Sequence, residues 1–149
     1  MHRLAYVGYR KMNDQRRPHP NGEVRLLSGV KLLVVEDEAL IAMEVEEMIA
    51  ALGAVVGSFS RVTDALQTLE RETVGGAILD IQLDGETTLG LVDVLLERGC
   101  SILFVTGGAP ESIPESYRQL PRLSKPFSQA DLERSAKLIF GRRQARHGW

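Results

Sequence analysis

The chain has 149 residues, 44% of them hydrophobic and 26% charged, with a formal net charge of −2. That length suits one ordinary domain, and the composition excludes an intrinsically disordered chain. No apolar run approaches the roughly 20 residues of a membrane-spanning helix, and the N-terminus lacks the apolar core of a signal peptide.

A cytoplasmic location is therefore expected, and the single cysteine, Cys100, excludes an internal disulfide framework. Cys100 precedes an apolar run and is expected to be a small buried side chain. The charge is uneven. Residues 1–29 hold six Lys/Arg against two acids, residues 141–149 hold three arginines and no acid, and residues 30–140 hold nine Lys/Arg against eighteen acids. An acidic globule between short basic tails argues against direct nucleic-acid binding, which needs a basic face on a folded element. It suits divalent cations and basic protein partners. Residues 1–29, with Pro18, Pro20 and the turn signal Asn21-Gly22, are expected to form a flexible basic tail. Residues 141–149 are expected to form a second, short one. With nine residues after Phe140, no separate output domain is expected.

Regular patterning begins at Val30. Residues 31–35 (KLLVV) are a short apolar run rich in β-formers. Leu40, Ile41, Val45, Met48, Ile49 and Leu52 follow at helical spacing, ended by Gly53. Residues 54–59 form a second strand. Ser60 is placed to cap a helix with apolar positions Val62, Ala65, Leu66 and Leu69. Residues 76–79 form a third strand, 87–98 a third helix stopped by Gly99, and 102–105 a fourth strand. Residues 112–120 are ambiguous, because Pro110 and Pro114 favour a short or loose helix. A weak fifth strand is expected over 120–123. Ser128 then caps a last helix through Leu132, Ala136, Ile139 and Phe140. Five strands alternating with five helices imply an α/β fold with one parallel sheet covered on both faces.

In such open sheets, ligands bind beyond the carboxyl ends of the strands. Those positions hold Glu36, Asp37 and Glu38 after strand one, and Asp80 after strand three. They hold Thr106 after strand four, and Ser124 and Lys125 after strand five. Crowded carboxylates are costly unless a cation neutralises them, and oxygen-rich acidic sites suit Mg2+. Asp80 is then placed as a nucleophile for a phosphoryl group, with Lys125 and the Thr106 hydroxyl on the phosphoryl oxygens. Singly, each feature has an ordinary explanation. Acids at a helix start favour its dipole, Asp80 suits a turn, and Thr106 suits a strand. Together, at the ends of four strands, they point to one site.

VVEDE, ILDIQLDG, LFVTGG and Lys125-Pro126-Phe127, in that order over about residues 30–140, resemble the receiver domain of two-component response regulators. The resemblance implies a flavodoxin-like, doubly wound five-stranded parallel sheet, the (βα)5 receiver fold. It implies Glu36 and Asp37 as the acidic pair for Mg2+, with Asp80 and the Gln82 backbone carbonyl as further ligands. Asp80 is then the phosphorylation site, Thr106 the switch hydroxyl and Lys125 the phosphate-binding lysine, with a cis peptide before Pro126. Arg122 stands where most receivers carry an aromatic. FVTGG resembles the signature of the single-domain "FAT GUY" subfamily, with Val105 in place of alanine. By that resemblance the partner is a sensor histidine kinase of the HWE or a related type. The output passes through a downstream protein target or a homodimer, and the chain catalyses only its own phosphorylation and dephosphorylation. Two alternatives stand beside this reading. An aspartate-nucleophile phosphatase would want a second acid where Gln82 stands, and an unphosphorylated receiver-like module would act only as a dimerisation surface. The glycine pairs 75–76 and 107–108 match no phosphate-binding loop of a nucleotide-binding protein.

Overall fold

The computed structural model describes residues 26–141. Both basic tails otherwise lie outside the described residues, as do Tyr6, Tyr9 and Trp149. The strands are β1 (Lys31–Val35), β2 (Val55–Phe59), β3 (Gly76–Leu79), the two-residue pair β4 (Gln82–Leu83) and β5 (Glu86–Thr87), β6 (Ser101–Thr106) and β7 (Arg122–Ser124). The α-helices are α1 (Ala39–Ala51), α2 (Val62–Leu69), α3 (Leu89–Glu97) and α4 (Gln129–Ala136). The main sheet has the order β2-β1-β3-β6-β7 with every pairing parallel. This is the expected flavodoxin-like receiver architecture. Strand order reverses between β1 and β3, so the crevice at their carboxyl ends is the topological switch point.

Near-continuous apolar strands feed both faces of the sheet, because successive side chains point to opposite sides. Leu33, Val35, Ala77, Leu79, Ile102 and Phe104 pack with α2 and α3 residues such as Leu69, Leu91 and Leu95. Leu32, Val34, Ile78, Leu103 and Val105 pack on the other face with Val45, Ile49, Leu132 and Phe140. Packing begins ahead of Val30. Leu27 is fully buried, and its N–H donates to Leu52 O at 3.0 Å.

Glycine stops both helices that run into the next strand. After α1, Gly53 has φ 101°, its N–H reaches Ala50 O, and that of Ala54 reaches Ile49 O. After α3, Gly99 at φ 77° repeats the pattern onto Leu96 and Leu95. Paired bonds of this kind satisfy the last carbonyls of a helix and need a left-handed residue that glycine supplies without steric cost. Ser128 caps α4 as expected, its side chain accepting the Asp131 N–H at 3.0 Å.

Four expectations are corrected. Ser60 does not cap α2. The cap residue is Arg61, without a side-chain bond, and the Val62 N–H is satisfied by Glu86 Oε2 at 3.1 Å. Helix α3 starts at Leu89, because residues 82–87 form the antiparallel β4–β5 pair, with φ 81° at Gly85 in its turn. The weak last strand falls at 122–124, since Pro121 offers only its carbonyl, which accepts the Phe104 N–H at 3.0 Å. Only four α-helices are present among the described residues. Where a fourth of five was expected, two 3-10 turns (Pro110–Ser112 and Glu115–Tyr117) stand instead, as the two prolines suggested. That segment is pinned by Ile113, only 1% exposed. Arg118 Nε donates to Ile113 O at 2.7 Å, and Tyr117 Oη to Asp93 Oδ1 at 2.8 Å.

Helix α4 continues into a π-helical turn, Lys137–Gly141, that buries Phe140. Phe140 lies directly over Gly76. A Cβ at Gly76 would come within 2.5 Å of Phe140 Cε1 and 2.8 Å of Ser101 O. No helix among the described residues is long and apolar enough to cross a membrane.

Candidate functional site

Three backbone ties hold the site residues in sheet register at the moment their side chains leave it. The Glu36 N–H donates to Phe59 O at 3.0 Å, that of Asp80 to Val35 O at 3.0 Å, and that of Lys125 to Thr106 O at 2.8 Å. Glu36, Asp80 and Thr106 are all buried. The peptide between Lys125 and Pro126 is cis.

The Lys125 ammonium is the centre of the arrangement. Its Nζ lies 2.8 Å from Asp80 Oδ2, 2.9 Å from Glu36 Oε1 and 2.8 Å from Glu38 Oε1. Burial alone would lower its pKa, but hydrogen bonds to Asp80, Glu38 and Glu36 outweigh that and hold it well above the ordinary lysine value. Burial pushes the Glu36 carboxyl above its ordinary value, opposed by the Glu38 N–H and by Lys125. The second oxygen of each buried acid is also engaged. Glu36 Oε2 accepts the Glu38 N–H at 3.0 Å, and Asp80 Oδ1 accepts the Gln82 N–H at 3.3 Å.

The donor set fits a hard divalent cation. One carboxylate oxygen each from Glu36, Glu38 and Asp80 lies within 4.8 Å of the others, and clustered carboxylate oxygens are what Mg2+ prefers. Asp37 is not one of these three, and its Oδ2 instead accepts the Asp84 N–H at 2.7 Å. That contact ties the β1–α1 loop to the turn of the β4–β5 pair. Thr106 ends β6, and its Oγ1 accepts the Gly108 N–H at 3.2 Å. Arg122 lies exposed on β7, with Nη1 donating to Arg118 O at 3.2 Å. The Gln82 side chain faces Leu83 O and Glu86 O, each at 3.4 Å.

Two contributions are not legible in the sequence pattern. Glu38, one of the three acids expected at the end of the first strand, closes the third contact on Lys125. Thr88 is fully buried, and its Oγ1 donates to Asp80 O at 2.8 Å and approaches Ile81 O at 3.4 Å. Its N–H also donates to Ile81 O at 2.9 Å. The sequence signal for Thr88 was slight: a polar residue just ahead of the apolar start of a helix.

A five-stranded parallel sheet with an Asp, a Lys and clustered acids at its switch point defines a class, and direct comparison agrees. Residues 32–137 match the response regulator receiver domain family, and the chain belongs to that family, a module of two-component signalling. Over 110 residues it is 34% identical to the phyllosphere-induced regulator PhyR of Methylorubrum extorquens, covering 70% of this chain and 41% of that protein. Among solved structures it is similar to SdrG from Sphingomonas melonis Fr1, at 33% identity and a TM-score of 0.62 over 74% of this chain and 98% of SdrG. It is also similar to the response regulator PhyR from Brucella abortus, at 27% identity and a TM-score of 0.69 over 85% of this chain and 54% of that one. The chain thus spans about two fifths of one PhyR and about half of the other.

Proposed function

We propose that this receiver accepts a phosphoryl group on Asp80 from a phosphohistidine of a sensor histidine kinase. A carboxylate oxygen of Asp80 attacks phosphorus, the P–N bond breaks, and the imidazole leaves with the bonding pair and takes up a proton. The observation that carries this reading is the Lys125 ammonium, seated 2.8 Å from Asp80 Oδ2 in a crevice with two more carboxylates. Little covalent work falls to the protein in such a transfer; positioning and charge neutralisation dominate. Lys125 supplies a point charge and Thr106 a hydroxyl donor to the phosphoryl oxygens. Glu36, Asp37, Asp80 and the Gln82 carbonyl are the proposed ligands of Mg2+, which when bound offsets the charge of the carboxylates and the phosphoryl group.

The product carries nearly two negative charges at neutral pH. It draws Lys125 and Thr106 inward and re-orders the 106–120 segment, so the signal leaves through protein contacts, including a second copy of the chain. The two 3-10 turns in that segment and the FVTGG signature support placing the chain with the "FAT GUY" receivers and an HWE-type kinase. On this reading the chain catalyses no reaction beyond its own phosphorylation and dephosphorylation. Acetyl phosphate with Mg2+, followed by intact-mass measurement, tests it. Wild type gains about 80 Da, the mass of one phosphoryl group carried as an acyl phosphate, and Asp80→Asn gains nothing. Labelling that persists in Asp80→Asn refutes the assignment.

A further inference from the structure

We propose that Glu38 is a positioning residue that competes with the incoming phosphoryl group for the Lys125 ammonium, and so sets how readily Asp80 is phosphorylated. This rests on the phosphoacceptor reading of Asp80.

An ammonium has three N–H donors, and three carboxylates engage this one: Asp80, Glu36 and Glu38. A phosphoryl oxygen can reach Lys125 only when one of those contacts gives way. The three partners differ sharply in how easily they can leave. The Glu36 side chain is 4% exposed and the Asp80 side chain 9%, and each has its second oxygen held by a backbone N–H. The Glu38 side chain is 60% exposed. Its carboxylate makes no helix-capping bond, although Glu38 occupies the cap position of α1. No other partner of that carboxylate is found among the described residues.

Releasing a buried carboxylate from its cation strands a charge away from water, whereas an exposed one exchanges the contact for hydration at small cost. Glu38 is therefore the partner that yields. The Nζ–H bond to Glu38 Oε1 is replaced by one to a phosphoryl oxygen, and no covalent bond of Glu38 changes. Until that exchange, Glu38 holds Lys125 back from its later role.

The experiment measures the initial rate of phosphorylation by acetyl phosphate, by intact mass, across a Mg2+ titration. Wild type is compared with Glu38→Gln and with Glu44→Gln, an equal change of charge at an exposed position further along α1. Glu38→Gln raises the maximal rate about two- to fivefold, the range set by an exposed ion pair. Glu38 is one of the three acids whose oxygens cluster but is not among the proposed Mg2+ ligands, so the half-saturating Mg2+ concentration and the thermal midpoint stay near wild type, and Glu44→Gln stays within the error of wild type. An unchanged or slower rate in Glu38→Gln overturns the proposal. So does equal acceleration by Glu44→Gln, which would reduce the effect to the general field. A roughly tenfold weaker Mg2+ dependence in Glu38→Gln, the loss expected for a missing carboxylate ligand, overturns it in favour of direct coordination. Absence of any adduct on wild type removes the phosphoacceptor reading and this inference together, whereas normal labelling of wild type with an unaltered Glu38→Gln removes this inference alone.

Discussion

Replacing Thr88 by valine separates the fold's hold on Asp80 from the chemistry of Asp80 itself. The hydroxyl lost is fully buried and donates at 2.8 Å to the backbone carbonyl of Asp80. Leaving a buried acceptor without its donor costs about 1–3 kcal/mol, and the extra methyl of valine returns at most about 0.8 kcal/mol. The net loss is therefore about 0.2–2 kcal/mol, which with a typical urea dependence lowers the urea midpoint by up to about 1 M. Thr88→Ser keeps the donor and loses only a methyl, at a similar cost of about 1 kcal/mol. Stability alone thus leaves the two variants close together, and the rate of acetyl phosphate labelling distinguishes them. Thr88→Val frees the Asp80–Ile81 backbone to shift and slows labelling roughly tenfold, as small misplacements of a reacting group do. Thr88→Ser stays within about twofold of wild type on the same reasoning. Equal slowing of the two variants, or none in either, would refute a positioning role for the hydroxyl.

Gly76→Ala places a methyl 2.8 Å from Ser101 O on the neighbouring strand and 2.5 Å from Phe140. It should cost about 1–3 kcal/mol as overpacking, read as a lower urea midpoint, and a variant as stable as wild type contradicts the close approach. The raised pKa of Glu36, caused first by burial, gives a signed pH effect. A carboxyl whose folded value lies above its unfolded one stabilises the fold below the unfolded value of 4.5, and that contribution is lost as pH rises through the folded value. In metal-free buffer, wild type should therefore lose stability relative to Glu36→Gln as pH climbs from below 4.5 towards neutrality. Parallel curves from urea unfolding at several pH values would deny the effect.

β1, β3 and β6 were readable because each is a nearly unbroken apolar run, and a parallel sheet buried on both faces requires such runs. Once they were in place, the rule that ligands gather at strand carboxyl ends picked out Asp80, Thr106 and Lys125 without coordinates. The β4–β5 pair was not readable, since two-residue strands are too short to show a period. The Glu86 cap on α2 was hidden for a related reason: 24 residues separate donor and acceptor, while capping rules look only three or four residues away. Glu38 was misleading in a different way. An acid at a helix start has a sufficient local explanation in the helix dipole, and nothing local reveals that it turns to a lysine 87 positions further on. The prolines at 110 and 114 did their work in the open, because they forbid the backbone bonds a regular helix would need.

That separation has a consequence for when the crevice exists at all. Its charges come from the ends of the first and last strands of the main sheet, with Asp80 between them, 45 residues from Lys125. Contacts so distant along the chain form only after long loops have closed. A nascent or partly melted chain can thus carry Asp80 at the tip of β3 and still lack the ammonium beside it. Competence to receive a signal is on this account a property of the finished fold, and a half-assembled copy is silent by construction.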